Sequence, residues 1–190
     1  MGDTAPNLRD FDTLYRQIEE LPEGVTGEII DPGVLHAKGR PGKRHRRGHR
    51  QVLEALRHLD ANAVGTGWWI EVEAEVRFGP RLWVPDLSGW RVERVPVLPD
   101  ENPLTVIPDW CCEVLSPGST ARIDRLKKLP RYLEAGVGHV WLVDPELRLV
   151  EVYTGRDGVP VRVAAGGEAD VLPLPPFAGE FALSPWWLIP

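Results

Sequence analysis

The stretch Trp110-Cys-Cys-Glu-Val-Leu115 sets an acid, Glu113, among residues that belong in a core. An unpaired ionised carboxylate there would be strongly destabilising, so the sequence demands a partner for it. A second carboxylate, Asp86 in Val84-Pro-Asp86, lies near the end of the preceding strand-like run. Two carboxylates held on neighbouring strands make a rigid, oxygen-rich site. Such a site suits a hard cation such as Mg²⁺ or Mn²⁺, which takes one or two carboxylates and otherwise keeps its waters. A cation so placed activates a water and neutralises charge on phosphate, which is the outline of phosphodiester hydrolysis. A second Pro-Asp pair, Pro108-Asp109, is read as the start of the central strand. Asp109 stands four residues from Glu113, roughly 13 Å along an extended chain, too far to share a cation with it.

Charge is distributed in a way that fits a phosphate-bearing partner. The chain has a net charge of −6, yet the run KGRPGKRHRRGHR, Lys38 to Arg50, holds seven of its 22 basic residues and no acid. The remainder carries 15 basic against 28 acidic residues, a net −13. Val52, Leu53, Leu56 and Leu59 form one apolar stripe and predict a helix over about 43–59 whose first turns carry Arg44, Arg46 and Arg47. Positive charge at a helix start opposes the macrodipole, so another demand keeps it there, and anion attraction is one such demand.

The elements that must position these groups follow from periodicity. Leu8, Phe11, Leu14, Tyr15, Ile18 and Leu21 recur at helical spacing and predict an N-terminal helix over about 8–20, closed by Pro22. GEIIDPGVLHA reads as two short extended pieces around a Pro-Gly turn. In WWIEVEAEVRF the period changes to two. Ile70, Val72, Ala74, Val76 and Phe78 are expected on one face of a single strand, with Glu71, Glu73, Glu75 and Arg77 on a solvated face. RLWVPDLSGW predicts the next strand, and DWCCEVLS, apolar on both faces, a central one. The helix TARIDRLKKLPRYLEAG and the apolar strand His139 to Val143 complete a strand-helix-strand unit, whose strands must be parallel. RLVEVYTG and VPVRVAA read as antiparallel strands before a Pro-rich end.

Composition and length are those of an ordinary globular chain, and one domain over 1–190 is expected. No apolar run approaches the length of a membrane span, and the first residues have neither a basic nor an apolar signal region, so a cytoplasmic protein is expected. Cys111 and Cys112 are adjacent, alternate between strand faces, and read as structural thiols.

On this order of elements, Pro85-Asp86 followed by Glu113 resembles the PD-(D/E)XK nuclease superfamily. EVLSPGST, RIDRLKKLPRYLEAGV and HVWLVDPELRLVEVY together resemble the Uma2 family, formerly DUF820, of restriction-endonuclease-like proteins. The likeness runs from Gly27-Glu-Ile-Ile-Asp31 and His49-x-x-Val52 to the Pro-rich end and is strongest over 109–153. It implies an α/β (α+β) fold with a restriction-endonuclease-like core over about 43–144. A mixed central sheet is flanked by helices, with an N-terminal helix and hairpin and C-terminal antiparallel strands. It also implies a metal-dependent endonuclease acting on DNA and a homodimer. The alternative is a nuclease-fold protein that binds nucleic acid or a protein partner without cutting.

The pattern E-x-K predicts lysine at 115, where this chain has Leu115. In the family the cation is thought to come from the following helix, and the aligned residue here is Lys128. Asp124 lies four residues before it, on the same helix face, whereas Lys127 points about 100° away. The resemblance gives Asp86, Glu113 and the Val114 carbonyl as ligands of Mg²⁺ or Mn²⁺, and Lys128 as the group that orients water or stabilises charge in the displacement. Glu28 is given as an outer-sphere or catalytic carboxylate. Arg44, Arg46, Arg47 and His49 are read as the nucleic-acid-binding residues. Pro130 within the helix predicts a kink.

Overall fold

A computed structural model describes residues 10–60 and 67–187. In chain order the elements are α1 (Phe11–Glu19), β1 (Thr26–Glu28), β2 (His36–Lys38), α2 (Lys43–Leu56), β3 (Trp68–Val72), β4 (Val76–Phe78), β5 (Arg81–Trp83), β6 (Leu87–Arg91) and β7 (Trp110–Val114). There follow α3 (Ser119–Ile123), a π-helical turn (Asp124–Lys128), α4 (Leu129–Glu134), β8 (His139–Asp144), β9 (Leu149–Arg156), β10 (Val159–Gly167), β11 (Val171–Pro173), β12 (Glu180–Ala182) and a 3₁₀ turn (Ser184–Trp187). Six strands form one mixed sheet in the order β10-β9-β8-β7-β6-β3. Only the β7–β8 pair within it is parallel, as the strand-helix-strand reading requires.

β7 is the seam of the molecule because alternation sends its side chains to two different cores. Trp110, Cys112 and Val114 join Val52 and Leu56 of α2 and an aromatic group of Trp141, Phe177, Phe181 and Trp186. Cys111 and Leu115 join Leu129 and Tyr132 of α4 together with Trp83 and Trp90. Val52 and Leu56 are wholly buried, and each such side chain contributes about 1.5–3 kcal/mol. That fixes α2 against one face of the sheet while α4 covers the other. Cys111 and Cys112 are free buried thiols.

α1 is capped by Asp10, whose side chain accepts the Thr13 N–H. It buries Leu14 and Ile18 against Ile29 and Leu82 in a separate small cluster. Leu8, expected at its start, lies outside the described residues, as do 188–190 of the tail. β1 and β2 pair antiparallel. Between them the Val34 N–H donates to the Asp31 carbonyl, and Gly33 takes φ 80°. This is the turn that Pro followed by Gly favours, because an L side chain is strained at that φ.

Two expected strands are each broken in two. WWIEVEAEVRF divides into β3 and β4, with Glu73 between them at φ 50° and Val72 43% exposed. RLWVPDLSGW divides into β5 and β6, because Pro85 has no N–H for the ladder. Asp86 therefore stands at the start of the strand beside β7, not at the end of one. α2 ends at Leu56, three residues short of the expected boundary.

Where the sequence predicts a kink at Pro130, the helix carries a π turn just before it. There the Leu129 N–H donates to the Asp124 carbonyl, five residues back. The widened turn meets the lack of an N–H on Pro130, which then lies in the first turn of α4. Among the described residues no helix is long and apolar enough to cross a membrane.

Candidate active site

In the β6–β7 ladder Leu87 opposes Cys112 and Ser88 opposes Cys111. Extending the register by one residue sets Asp86 opposite Glu113, and directly opposed residues of an antiparallel pair share a face. Glu113 is 2% exposed and Lys128 only 1%. Tyr132 Oη donates to Glu113 Oε1 at 2.6 Å, and Lys128 Nζ donates to the same oxygen at 3.0 Å. The two donors stand four residues apart, one at the end of the π turn and one in α4. The Val114 N–H donates to Asp86 Oδ2 at 2.6 Å, and His45 Nε2 lies 3.0 Å from that oxygen. An ionised carboxylate only accepts, so Nε2 of His45 carries the proton.

Lys128 joins three acids, at 2.8 Å from Glu28 Oε1, 3.0 Å from Glu113 Oε1 and 3.8 Å from Asp124 Oδ1. Glu28, on β1, also accepts the Val84 N–H at 2.8 Å and pairs with Lys38 of β2 at 3.3 Å. The structure thus sets Glu28 as an anchor of two lysines. Lys127 points away, as its helical phase predicts, and pairs with Asp31 at 2.6 Å.

Four buried carboxylates, Glu28, Asp86, Glu113 and Asp124, here face Lys128 and Lys38. The excess negative charge appears in the proton affinities. Burial pushes Glu113 up to about 8; Lys128 offsets this only in part, while Asp124 and Asp86 add to it. Burial raises Asp124 to about 6 against the pull of Lys128. Burial also works against the ionised forms of Asp86 and Glu28, but the His45 bond holds the first below its usual value and Lys128 and Lys38 the second. Burial alone would lower Lys128, yet Glu113, Glu28 and Asp124 hold it well above the ordinary lysine range. The ammonium is charged at any ordinary pH.

These groups line a cleft of about 460 Å³, with Val114, Lys38, Arg40 and Glu73 also on its walls. Among the described residues no three His, Cys, Asp or Glu side chains converge as a metal-holding group. A tetrahedral zinc site does not fit. The oxygen donors of Asp86 and Glu113, in surroundings with excess negative charge, do fit a hard divalent cation that keeps most of its waters.

The predicted residues divide by position. Asp86, Glu113, Lys128, Glu28 and Val114 come together in the cleft. Arg44, Arg46 and Arg47 lie on α2 outside its lining; Arg44 pairs with Glu146 and Arg46 donates to the Pro41 carbonyl. His49 is half-buried, and its Nε2 is buried without a hydrogen-bond partner. Burial lowers its pKa against the attraction of Asp86. Of the solvated face expected for Glu71, Glu73 and Glu75, the first two are exposed and Glu75 is half-buried. Glu73 lines the cleft and Glu75 accepts the Tyr15 hydroxyl at 2.6 Å. Sequence reasoning missed His45 and Tyr132. Each stands four residues from a residue it had singled out, His49 and Lys128, and that spacing was the available signal. Asp109 is set apart, holding the Arg91 N–H and the Arg94 guanidinium.

The fold and the cleft define an α+β protein with a nuclease-type core. The Uma2 family model, described as "Putative restriction endonuclease", matches residues 11–185, and the chain belongs to that family. A solved "putative nuclease belonging to DUF820" from Anabaena variabilis is similar to it, with a TM-score of 0.71 over 94% of this chain and 97% of that one. At 22% identity that likeness is one of fold. No curated protein matches the chain.

Proposed function

We propose that the chain is a metal-dependent endonuclease that hydrolyses phosphodiester bonds of DNA. The observation that carries this is the meeting of Asp86, Glu113 and Lys128 in one cleft, although Lys128 comes from the helix that follows the Glu113 strand. Asp86 and Glu113 would hold Mg²⁺ or Mn²⁺, with Val114 beside them. Bound there, the cation would supply a water more acidic than bulk water and a positive charge against the phosphate.

The chain's own residues do the rest. Lys128, kept charged by its three acids, presents a fixed donor to the charge that builds on the phosphoryl oxygens during in-line displacement. Glu28 holds that ammonium in place through Oε1. Lys38 and Arg40 give the cleft a basic wall for the entering backbone. Arg44, Arg46 and Arg47 extend positive charge along α2, where flanking phosphates would lie. The buried walls limit competing bulk water.

The test is a supercoiled-plasmid assay with Mg²⁺ or Mn²⁺ against chelator, run beside Asp86→Asn and Glu113→Gln. Nicking that needs the cation and disappears in both variants is expected. Plasmid that is bound but left intact under every cation would establish a non-cutting nucleic-acid-binding protein.

A further inference from the structure

Both carboxylates of the site are held by one oxygen in the same manner. Oδ2 of Asp86 takes two protein donors, His45 Nε2 at 3.0 Å and the Val114 N–H at 2.6 Å. Oε1 of Glu113 also takes two, Tyr132 Oη at 2.6 Å and Lys128 Nζ at 3.0 Å. At most one oxygen of each is left for a cation. The donors are themselves fixed. The Tyr132 ring is fully buried, edge-on to Trp83 at 5.0 Å and beside Phe78 at 5.6 Å. His45 stands in the first turn of α2, a helix set against the sheet so closely that a Cβ on Gly48 would come within 2.9 Å of Pro145 and 3.1 Å of Val114. Neither side chain can follow a carboxylate that swings to grip a cation with both oxygens.

We propose that His45 and Tyr132 are positioning residues that restrict Asp86 and Glu113 to one oxygen each, so that the site selects Mg²⁺ or Mn²⁺ over Ca²⁺. The inference rests on the metal-dependent reading and adds to it the choice of cation. Ca²⁺ takes six to eight oxygens and commonly grips a carboxylate through both of its oxygens, while Mg²⁺ needs one oxygen from each carboxylate and fills its shell with water. Two one-oxygen ligands satisfy the smaller ion, while the larger one, though it too takes waters, loses the two-oxygen grip that would favour it. Lys128 and the Val114 amide share the restriction, but one is assigned a catalytic role and the other is backbone, so His45 and Tyr132 are the separable parts.

The experiment is calorimetric titration of metal-free protein with Mn²⁺ and with Ca²⁺. The proteins are the wild type, Tyr132→Phe, His45→Gln, and the double variant His45→Ala/Tyr132→Phe, each checked for native near-ultraviolet dichroism. The wild type should prefer Mn²⁺, and the double variant should narrow the Mn²⁺-to-Ca²⁺ affinity ratio by about tenfold, with Tyr132→Phe about halfway on a logarithmic scale. His45→Gln, whose amide N–H reaches the same oxygen, should keep the wild-type ratio. A general loss of stability would weaken both ions together and leave the ratio unmoved. An unchanged ratio in the double variant, or in Tyr132→Phe should the double variant not fold, overturns the proposal while the metal site stands. A wild type that binds neither ion overturns the metal-dependent reading and this inference with it.

Discussion

Lys128→Met keeps the aliphatic stem but removes a buried cation shared by three carboxylates. Glu28 is then an ionised group left with Lys38 at 3.3 Å and the Val84 N–H. Removing one partner of a buried pair costs about 3–5 kcal/mol, and the residual partners place the expected loss near about 3 kcal/mol. Lys127→Met breaks an exposed pair with Asp31, worth about 0–1 kcal/mol. With a slope of about 2 kcal/mol per molar urea, the midpoints should fall by about 1.5 M and by less than about 0.5 M. The measurement is made in chelator so that no cation substitutes for the ammonium.

The pH dependence has a definite sign. Glu113 and Asp124 have folded pKa values of about 8 and about 6, above their ordinary ones. A raised carboxylate contributes stability that is full below its unfolded pKa and lost as pH rises through its folded pKa. Without Lys128 both acids are harder still to ionise in the fold. Near pH 5 they are neutral in either protein, so the deficit of Lys128→Met should be larger at about pH 8 than at about pH 5. Cleavage by this variant should fall on the order of 10²-fold or more, against little change for Lys127→Met. Equal midpoints for the two variants, or a larger deficit in acid, would refute the assignment of Lys128 as the buried counter-charge.

Three further outcomes are expected. Below the raised pKa of Glu113, about 8, a cation must displace a proton, so Mn²⁺ affinity should rise by up to about tenfold per pH unit and level off above it. A flat calorimetric profile would mean that Glu113 is no ligand. Gly48→Ala places a Cβ 2.9 Å from the Pro145 ring and 3.1 Å from Val114. Thermal melting should show a loss of about 1–2 kcal/mol despite the gain in helix propensity, because a crowded core interface must shift. Replacing Arg44, Arg46 and Arg47 together by Ser should weaken DNA binding and reduce the slope of log K against log salt by about one unit for each phosphate no longer neutralised, measured by fluorescence anisotropy.

The β7 strand, the helix after it and the parallel β8 were legible because their signals are local: an apolar run, a helical stripe and short connections. Glu113 could be singled out for the same reason, as a charge within an apolar run. The division of WWIEVEAEVRF was not legible. Its alternation continues through Glu73, and what breaks it is a backbone turn to φ 50° with β4 pairing elsewhere, a tertiary effect that period alone does not contain. The basic run could be seen, but its division of labour could not. His45 turns to Asp86 and Lys38 to Glu28, while Arg44, Arg46 and Arg47 stay off the cleft. That sorting depends on how α2 is set against the sheet, which Gly48 permits through its close approach to residue 145, far along the chain.

The place of β7 between two cores has a consequence for how the molecule loses its function. β7 is flanked on both edges by paired strands and buried on both faces. Its amides should exchange with solvent only through global unfolding, the slowest class in a domain. The β1–β2 hairpin, with three residues in each strand and outside the six-stranded sheet, is expected to open at a lower cost than β7, though the buried Glu28–Lys128 pair adds to that cost. Glu28 and Lys38 ride on that hairpin, whereas Glu113 is inside the slow strand and Asp86 hydrogen-bonds to its last amide. Two halves of one constellation are thus expected to relax on different clocks. On gentle heating the hold on Lys128 loosens first, with the two acids still in register, so inactivation should begin below the melting of the sheet and reverse on cooling.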